Sequence, residues 1–473
     1  MGAQPSLRGT ALCDGEVSPT PSPEVEVIHD FAAAIPAMGS NSFAWTVKAT
    51  SSRCTAVRTA LSTNCAAVLA GFDDGKVAVW ATNPYDDGIK QSSSLGHAIG
   101  QVETFADPIS CLSLEDPTLS VLEEPPDFDQ SRSGLRVAAG TSCGFAFLFE
   151  LSLPEGVLRC IDGFRAHGVV PGAARRNGVS AVAVTPGAMV TGGADGSFRL
   201  CRLGAEQPSE QVDKEHAVGA SAEMRHIPGA HGGALTAAAA SALATRPRAL
   251  PASHFCEGTT VAATGGDDGV VKLWCEDREV AMLPPSCQRR SATSKSKSGP
   301  ESSTVTDLCL DLPHARVCIG TEDCFVRIYD VTVCRQTRTF KHAVQNSSSP
   351  WPQASVQAVA FDVADEPTRF VSGGSDGSIK VWDIRQPDHV PVIGSSRAHA
   401  GSVSSVSLRG DRLLSASPSD CRAVLWDLRR IADSGGAIWE VHLLGRRMPA
   451  AAANRENAAP LRRCGLTCSD CGC

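Results

Sequence analysis

Tyrosine is close to absent from this chain: 2 in 473 residues, beside 7 Trp and 6 Met, with aromatics at 5% overall. Rings so rare make any regular spacing among them informative. Long hydrophobic runs are missing as well. No stretch of 18 apolar residues occurs, so no membrane-spanning helix is expected, and the opening MGAQPSLRGTALCDGEVSPT lacks the charged-then-apolar build of a secretory signal. The expected location is cytoplasmic, nuclear or both. Positive charge is in deficit, Lys+Arg 43 against Asp+Glu 51 for a net −8. That excludes a general nucleic-acid binder, because neutralising phosphates needs a basic surface. The 19 cysteines, an odd number, keep no short fixed spacing and sit in apolar strings such as VCIG and LCLDL. They read as reduced, buried thiols rather than a disulfide framework, and in such a compartment the sequon Asn346-Ser347-Ser348 has no consequence.

Catalytic signatures are also lacking. Gly373-Gly374-Ser375-Asp376-Gly377 fits G-x-S-x-G, but that motif needs a strand-to-helix elbow, and here it falls in a turn between two strands. Gly75-Lys76 has no glycine five positions upstream, and no H-E-x-x-H or zinc-spaced Cys and His pairs occur in the repeats described next. No enzyme activity, metal or cofactor is expected.

What is present is a turn-rich globular composition, 42% apolar and 20% charged with 43 Gly and 29 Pro, and within it a repeat. LAGFDDGKVAVW, VTGGADGSFRLC, ATGGDDGVVKLW, CIGTEDCFVRIY and VSGGSDGSIKVW share one template of small residues, a turn Asp and an alternating strand. AAGTSCGFAFLF, with Cys143 in the Asp slot, and ASPSDCRAVLW, with one extra residue upstream, are weaker copies. Asp74 and Trp80, Asp268 and Trp274, Asp376 and Trp382, and Asp420 and Trp426 all keep one spacing, as do Asp323 and Tyr329. A strand alternates faces with period two, so the large residue falls on one fixed face in every copy and packs between units. Another alternating run precedes each copy: CTAVRTAL, ISCLSLED, VSAVAVTP, ALTAAAAS, VTDLCLDL, VQAVAFDV and VSSVSLRG. A looser strand follows some of them, as in EVAMLPP and QTRTFK.

Four antiparallel strands per unit, with Trp382-Asp383, Trp426-Asp427 and Gly96-His97 as literal pairs and Ala-His at His167, His231 and His399, resemble the WD-repeat family of β-propellers. The resemblance implies an all-β, seven-bladed β-propeller, anchored at Asp74, Cys143, Asp195, Asp268, Asp323, Asp376 and Asp420. It also implies a buried network of turn Asp, His, strand-two hydroxyl and Trp. Asp376 with Ser372 and Trp382, and Asp268 with Thr264 and Trp274, fit it. Asp195 with Thr191 lacks the Trp, and Asp74 has Ala70 in the hydroxyl slot. Only the last interval between anchors, 44 residues, approaches one repeat, which places insertions in blades two and four. The propeller is expected over 44–445, between Pro-, Ser-, Gly- and Ala-rich disordered tails at 1–43 and 446–473, the second containing cysteines. Its closing strand is either AWTVKA at 44–49 or AIWEVHLL at 437–444.

The expected role is a non-enzymatic protein-interaction scaffold or adaptor. Asp73, Asp267 and Glu322 stand beside turn acids that the network uses, and an acidic turn face would favour basic peptides. Trp-Asp-x-Arg at Arg385 and again at Arg429 puts two arginines at equivalent far ends of adjacent blades. Such paired boxes resemble those of substrate receptors that dock on the adaptor of cullin-RING ubiquitin ligases. Met1-Gly2 with Ser6 fits an N-myristoylation signal at Gly2. One chain anchors only marginally, so membrane association would need a second signal, for which Cys13 or Cys464, Cys468, Cys471 and Cys473 are candidates.

Overall fold

The computed structural model describes residues 52–443 apart from internal segments, chiefly 85–99, 116–133, 169–177, 204–223, 244–249, 284–302, 343–353 and 431–436, together with the dipeptides 26–27 and 462–463. The segment at 44–49, Gly2, the tail cysteines, His97 and most of both expected tails lie outside the described residues.

Seven antiparallel sheets follow one another along the chain, each built from consecutive strands and each contacting the next through its first strand. The first strands are Cys54–Leu61, Ile109–Leu114, Val179–Val184, Leu235–Leu243, Val305–Asp311, Val356–Phe361 and Ser405–Arg409. They form the inner ring. The fourth strands, Gly100–Glu103, Val157–Arg165, Met224–Ile227, Arg278–Leu283, Arg335–Lys341, Ile393–Ser395 and Ala437–His442, form the rim. The architecture is a seven-bladed β-propeller with the expected anchors in the turns between second and third strands. Two short strands extend the rim: Glu26–Val27 pairs with Met224–Ile227 of blade three, and Arg462–Arg463 with Ile393–Ser395 of blade six.

No strand is exchanged at the closure among the described residues. The run at 437–444 supplies Ala437–His442, the ordinary fourth strand of blade seven, paired with Arg422–Asp427. Blades seven and one therefore meet face to face. The hydroxyl of Thr59 lies 2.9 Å from those of Ser405 and Ser407, the Thr59 N–H donates to Ser405 Oγ, and Ser407 donates back to the Thr59 carbonyl. Around them Cys54, Val57, Val68 and Trp80 of blade one pack on Leu414, Ala416, Leu425 and Val441 of blade seven.

The other six seams share a different device. Each of blades one to six has a bulge between its first and second strands, at Thr55, Ser110, Ser180, Thr236, Thr306 and Gln357. The extra residue re-aims a side chain. Thr55 donates toward the carbonyls of Gly71 in its own blade and Ile109 in the next, at 3.1 and 2.7 Å. Ser110, Ser180, Thr236 and Thr306 likewise reach Val179, Leu235, Val305 and Val356 of the following blade. Opposite each bulge is a glycine: Gly71, Gly140, Gly192, Gly265, Gly320 or Gly373. A methyl added there would come within 2.7 Å of a side chain at the start of the next blade, which is Ile109, Val179, Leu235, Val305, Val356 or, just before the inner strand, Val403. Only glycine lets a branched side chain approach this closely. Blade seven has Ala416 in that slot and no bulge, and the residue entering from blade one is the smaller Cys54.

Candidate functional site

The buried relays of the blades lie at one end, where the anchor turns and the loops before the first strands converge. In blade four Trp274 Nε1 donates to Thr264 Oγ1 at 2.8 Å, Thr264 lies 2.9 Å from His231 Nε2, and His231 Nδ1 lies 3.2 Å from Asp268. The proton order follows from the single hydroxyl hydrogen: Thr264 accepts from Trp274 and donates to His231, which donates to Asp268. Burial works to raise the Asp268 carboxyl, but bonds from His231 and from the N–H groups of Gly232 and Val270 outweigh it and hold it at about 2. Blade seven repeats the chain as Trp426, Ser415, His399 and Asp420.

Blade six inserts a hydroxyl. Trp382 donates to Ser372, Ser372 lies 2.7 Å from His342 Nδ1, and His342 Nε2 lies 2.8 Å from Ser378, which donates to Asp376. Burial, with the Lys380 charge adding to it, pushes the His342 imidazole down to about 3, so the ring is neutral. Blade three has the same inserted serine, Ser197, between His167 and Asp195, with Thr191 on the other ring nitrogen; Cys201 fills the Trp slot. Burial alone would raise the Asp195 carboxyl, yet the bonds from His167 and Ser197 hold it well below the usual range.

The remaining blades depart from the pattern. Asp74 is paired to Lys76 at 2.5 Å, next to a fully apolar second strand, and Trp80 is buried in the closing seam. In blade five Arg327 does the work of the histidine: its guanidinium grips Asp323 at 3.0 and 2.5 Å and donates to Thr321. Tyr329 is buried but donates outward, to Gln336 at 3.4 Å, and stays out of the network. Sequence reasoning missed His342, which follows Lys rather than Gly or Ala, and Ser415, which the extra residue of blade seven shifts by one. It also missed Ser197, Ser378 and Arg327. The serines could have been found from the shared Asp-Gly-Ser triplets at Asp195 and Asp376.

On the same end, Asp73, Asp267 and Glu322 are exposed while Asp74, Asp268 and Asp323 beside them are half-buried. The ring sets Asp267 and Glu322 on adjacent blades and Asp73 apart from them. Asp73 also accepts the Arg53 N–H at 2.9 Å.

At the opposite end of blades six and seven is a chain of alternating charge. Arg385, 70% exposed, holds Asp383 in a two-point bond at 3.0 and 2.7 Å. Arg429, 59% exposed, is paired to the fully buried Asp427, which also takes the buried Arg412. Asp411 joins the blades, 3.8 Å from Arg369 and 3.9 Å from Arg429, while Arg369 also reaches Asp362 and the Gly410 carbonyl. The carboxylates of Asp362, Asp383 and Asp427 are sunk and the guanidinium groups of Arg385, Arg429 and Arg430 are outermost. Bonds from Arg385 lower the Asp383 carboxyl. Against the burial that would raise Asp427, Arg429 and Arg412 hold it at about 2.

The family model described as "WD domain, G-beta repeat" matches residues 348–383, the stretch that contains the strands of blade six through Asp383. No curated protein matches the chain. Among solved structures, the computationally designed Ika8 protein is similar at 18% identity and a TM-score of 0.44, over 83% of this chain and 87% of that one. Propellers of the matched kind serve as protein-interaction scaffolds and are typically not enzymes. With seven four-stranded blades in one ring, and Asp, His, hydroxyl and Trp linked in three of them, the chain is a seven-bladed β-propeller that is similar to WD-repeat proteins in the matched repeat.

Proposed function

We propose that the protein is a non-enzymatic scaffold whose anchor-turn face takes Lys- or Arg-rich segments of other proteins, centred on blades four and five. The observation that carries this reading is the division of labour within each acid pair. Asp268 and Asp323 are consumed by His231 and Arg327, while Asp267 and Glu322 stand outside on neighbouring blades. Exposed like charges on a rigid face steer a basic partner and act chiefly on association. Reversal of both to Lys should slow association with a basic peptide about tenfold at low salt with little change in dissociation, and added salt should have a parallel effect on the parent. An association rate indifferent to both salt and reversal, measured by stopped flow, rules the reading out.

A second reading draws on the charge chain of blades six and seven. Arg385 and Arg429 are outermost and linked through Asp383, Arg369 and Asp411, which supports use of the two boxes together, as on a receptor for a cullin-RING ligase adaptor. The double variant Arg385→Ala, Arg429→Ala should lose the adaptor from co-precipitates and stay folded with a modest drop in melting temperature, because Arg412 still pairs the buried Asp427 while Arg is a frequent interface hot spot. Undiminished recovery removes this reading and leaves the first untouched.

A further inference from the structure

At five of the seven anchor turns the residue after the anchor is a glycine in the left-handed region, Gly75, Gly144, Gly196, Gly269 or Gly377. Blades five and seven put Cys324 and Cys421 there, at φ 70° and 53°. A side chain in that region costs conformational energy and persists where its surroundings use it. Cys421 projects across the closing seam. It packs on the cluster that contains Cys54, Val57 and Ala416, and its sulfur faces the N–H of Cys54. Each thiol makes only a weak bond within its own segment, Cys421 to the Pro418 carbonyl at 3.4 Å and Cys54 to that of Ala56 at 3.5 Å. The seam they share keeps the bonds of Thr59 to Ser405 and Ser407 but lacks the bulge clasp found after blades one to five. The Ser404 hydroxyl, which by position matches the clasp at Thr55, is buried without a hydrogen-bond partner.

We propose that Cys54 and Cys421 are a covalent modification site, a disulfide that staples blade seven to blade one and is formed by exchange with an oxidised low-molecular-weight thiol of the glutathione class. Cys421 is the more exposed of the two and reacts first. Its thiolate attacks one sulfur of the small disulfide and releases one reduced thiol. The thiolate of Cys54 then attacks the Cys421 sulfur of the mixed disulfide and releases the second. Two protein thiols are oxidised, one external disulfide becomes two thiols, and the two protons pass to those products. Burial pushes the Cys54 thiol up to about 12, with the Cys421 charge adding to it, and burial raises Cys421 too. Exchange is correspondingly slow, on the order of hours at neutral pH, which suits a lasting lock and not a rapid sensor. The bond would span most of the chain, the situation in which a cross-link restricts the unfolded state most.

The test uses the full chain, reduced and then held overnight with oxidised glutathione, followed by tryptic mapping without reductant. Cys54–Arg58 and Leu413–Arg422 each contain a single cysteine, so their linked mass is unambiguous. The expected result is that linked pair, a faster band on a non-reducing gel that dithiothreitol reverses, and an unfolding midpoint in urea above that of the reduced protein. Cys421→Gly supplies the residue five other blades carry at this turn, so it should fold at least as well as the parent and lose the linked pair, whereas Cys324→Gly should keep it. Persistent glutathione on Cys421, a Cys54 linked elsewhere, or no linkage in a parent that is folded throughout would each overturn the proposal.

Discussion

Blade two and blade six occupy equivalent places in the ring and are held by different physics. Blade six threads Trp382, Ser372, His342, Ser378 and Asp376 into one buried relay. Blade two has Cys143 for the acid, Ala139 for the hydroxyl and Phe149 for the Trp. Its third strand instead packs Phe145, Phe147 and Phe149 in a stacked row with centroids 6.5 and 6.2 Å apart. Phe149 and Trp382 are equally sealed from solvent. A blade therefore does not need the relay in order to form. Once a Trp N–H and an imidazole are buried, however, every member must be satisfied, because an orphaned buried polar group costs more than a satisfied one contributes.

The largest effects should not distinguish the two blades. Trp382→Ala and Phe149→Ala should each destabilise by about 3–5 kcal/mol, the range for large aromatic core truncations, as read from urea unfolding. If Phe149→Ala costs under about 1 kcal/mol, packing is not what holds blade two. A smaller effect should separate them. Ser372→Ala leaves Trp382 and His342 without their shared oxygen and should cost about 1–3 kcal/mol. In blade two the opposite change, Ala139→Ser, places a hydroxyl among apolar groups and should not stabilise; a gain in melting temperature there would show that blade two has room for a relay.

The smallest effect is one of pH. His342 titrates near 3 when folded and near 6.5 when unfolded, so the unfolded chain binds its proton more readily. Stability is intact above about pH 6.5 and drains as pH falls toward 3, by about 1.4 kcal/mol at pH 5.5. Hydrogen exchange at pH 5.5, corrected for intrinsic rates, should show lost protection in blade six with blade two unchanged. Equal protection in both would place the His342 imidazole in a solvated site.

The seven anchors and the seven inner strands were legible because both depend on position along one strand, where period two and a fixed turn do the work. Thr191, Thr264 and Ser372 were legible for the same reason, each four residues before its anchor. Histidine partners were harder. The separation of His and Asp is 37 residues in blade four and 21 in blade seven, since a variable first hairpin lies between them. Arg327 was invisible because nothing in spacing distinguishes an arginine that replaces a histidine from one on a solvated face. The closing seam was legible only in part. The run at 437–444 has the pattern of a strand, but its partner is chosen by register, and the size match of Cys54 to Ala416 appears only when the ends of the chain are brought together.

Closure between the first and the last blade also sets a clock on synthesis. Thr59 finds its partner Ser405 only after 346 further residues, which at roughly 5–20 residues per second is about 17–70 s of translation. Through that interval the face of blade one that carries Val57, Val68 and Trp80 has emerged from the ribosome without the blade-seven residues that cover it. A nascent chain in this state presents a hydrophobic surface of the kind that holdases bind and that aggregation exploits. A message truncated before blade seven would prolong the interval indefinitely, yielding a six-bladed arc with two open ends instead of a smaller ring.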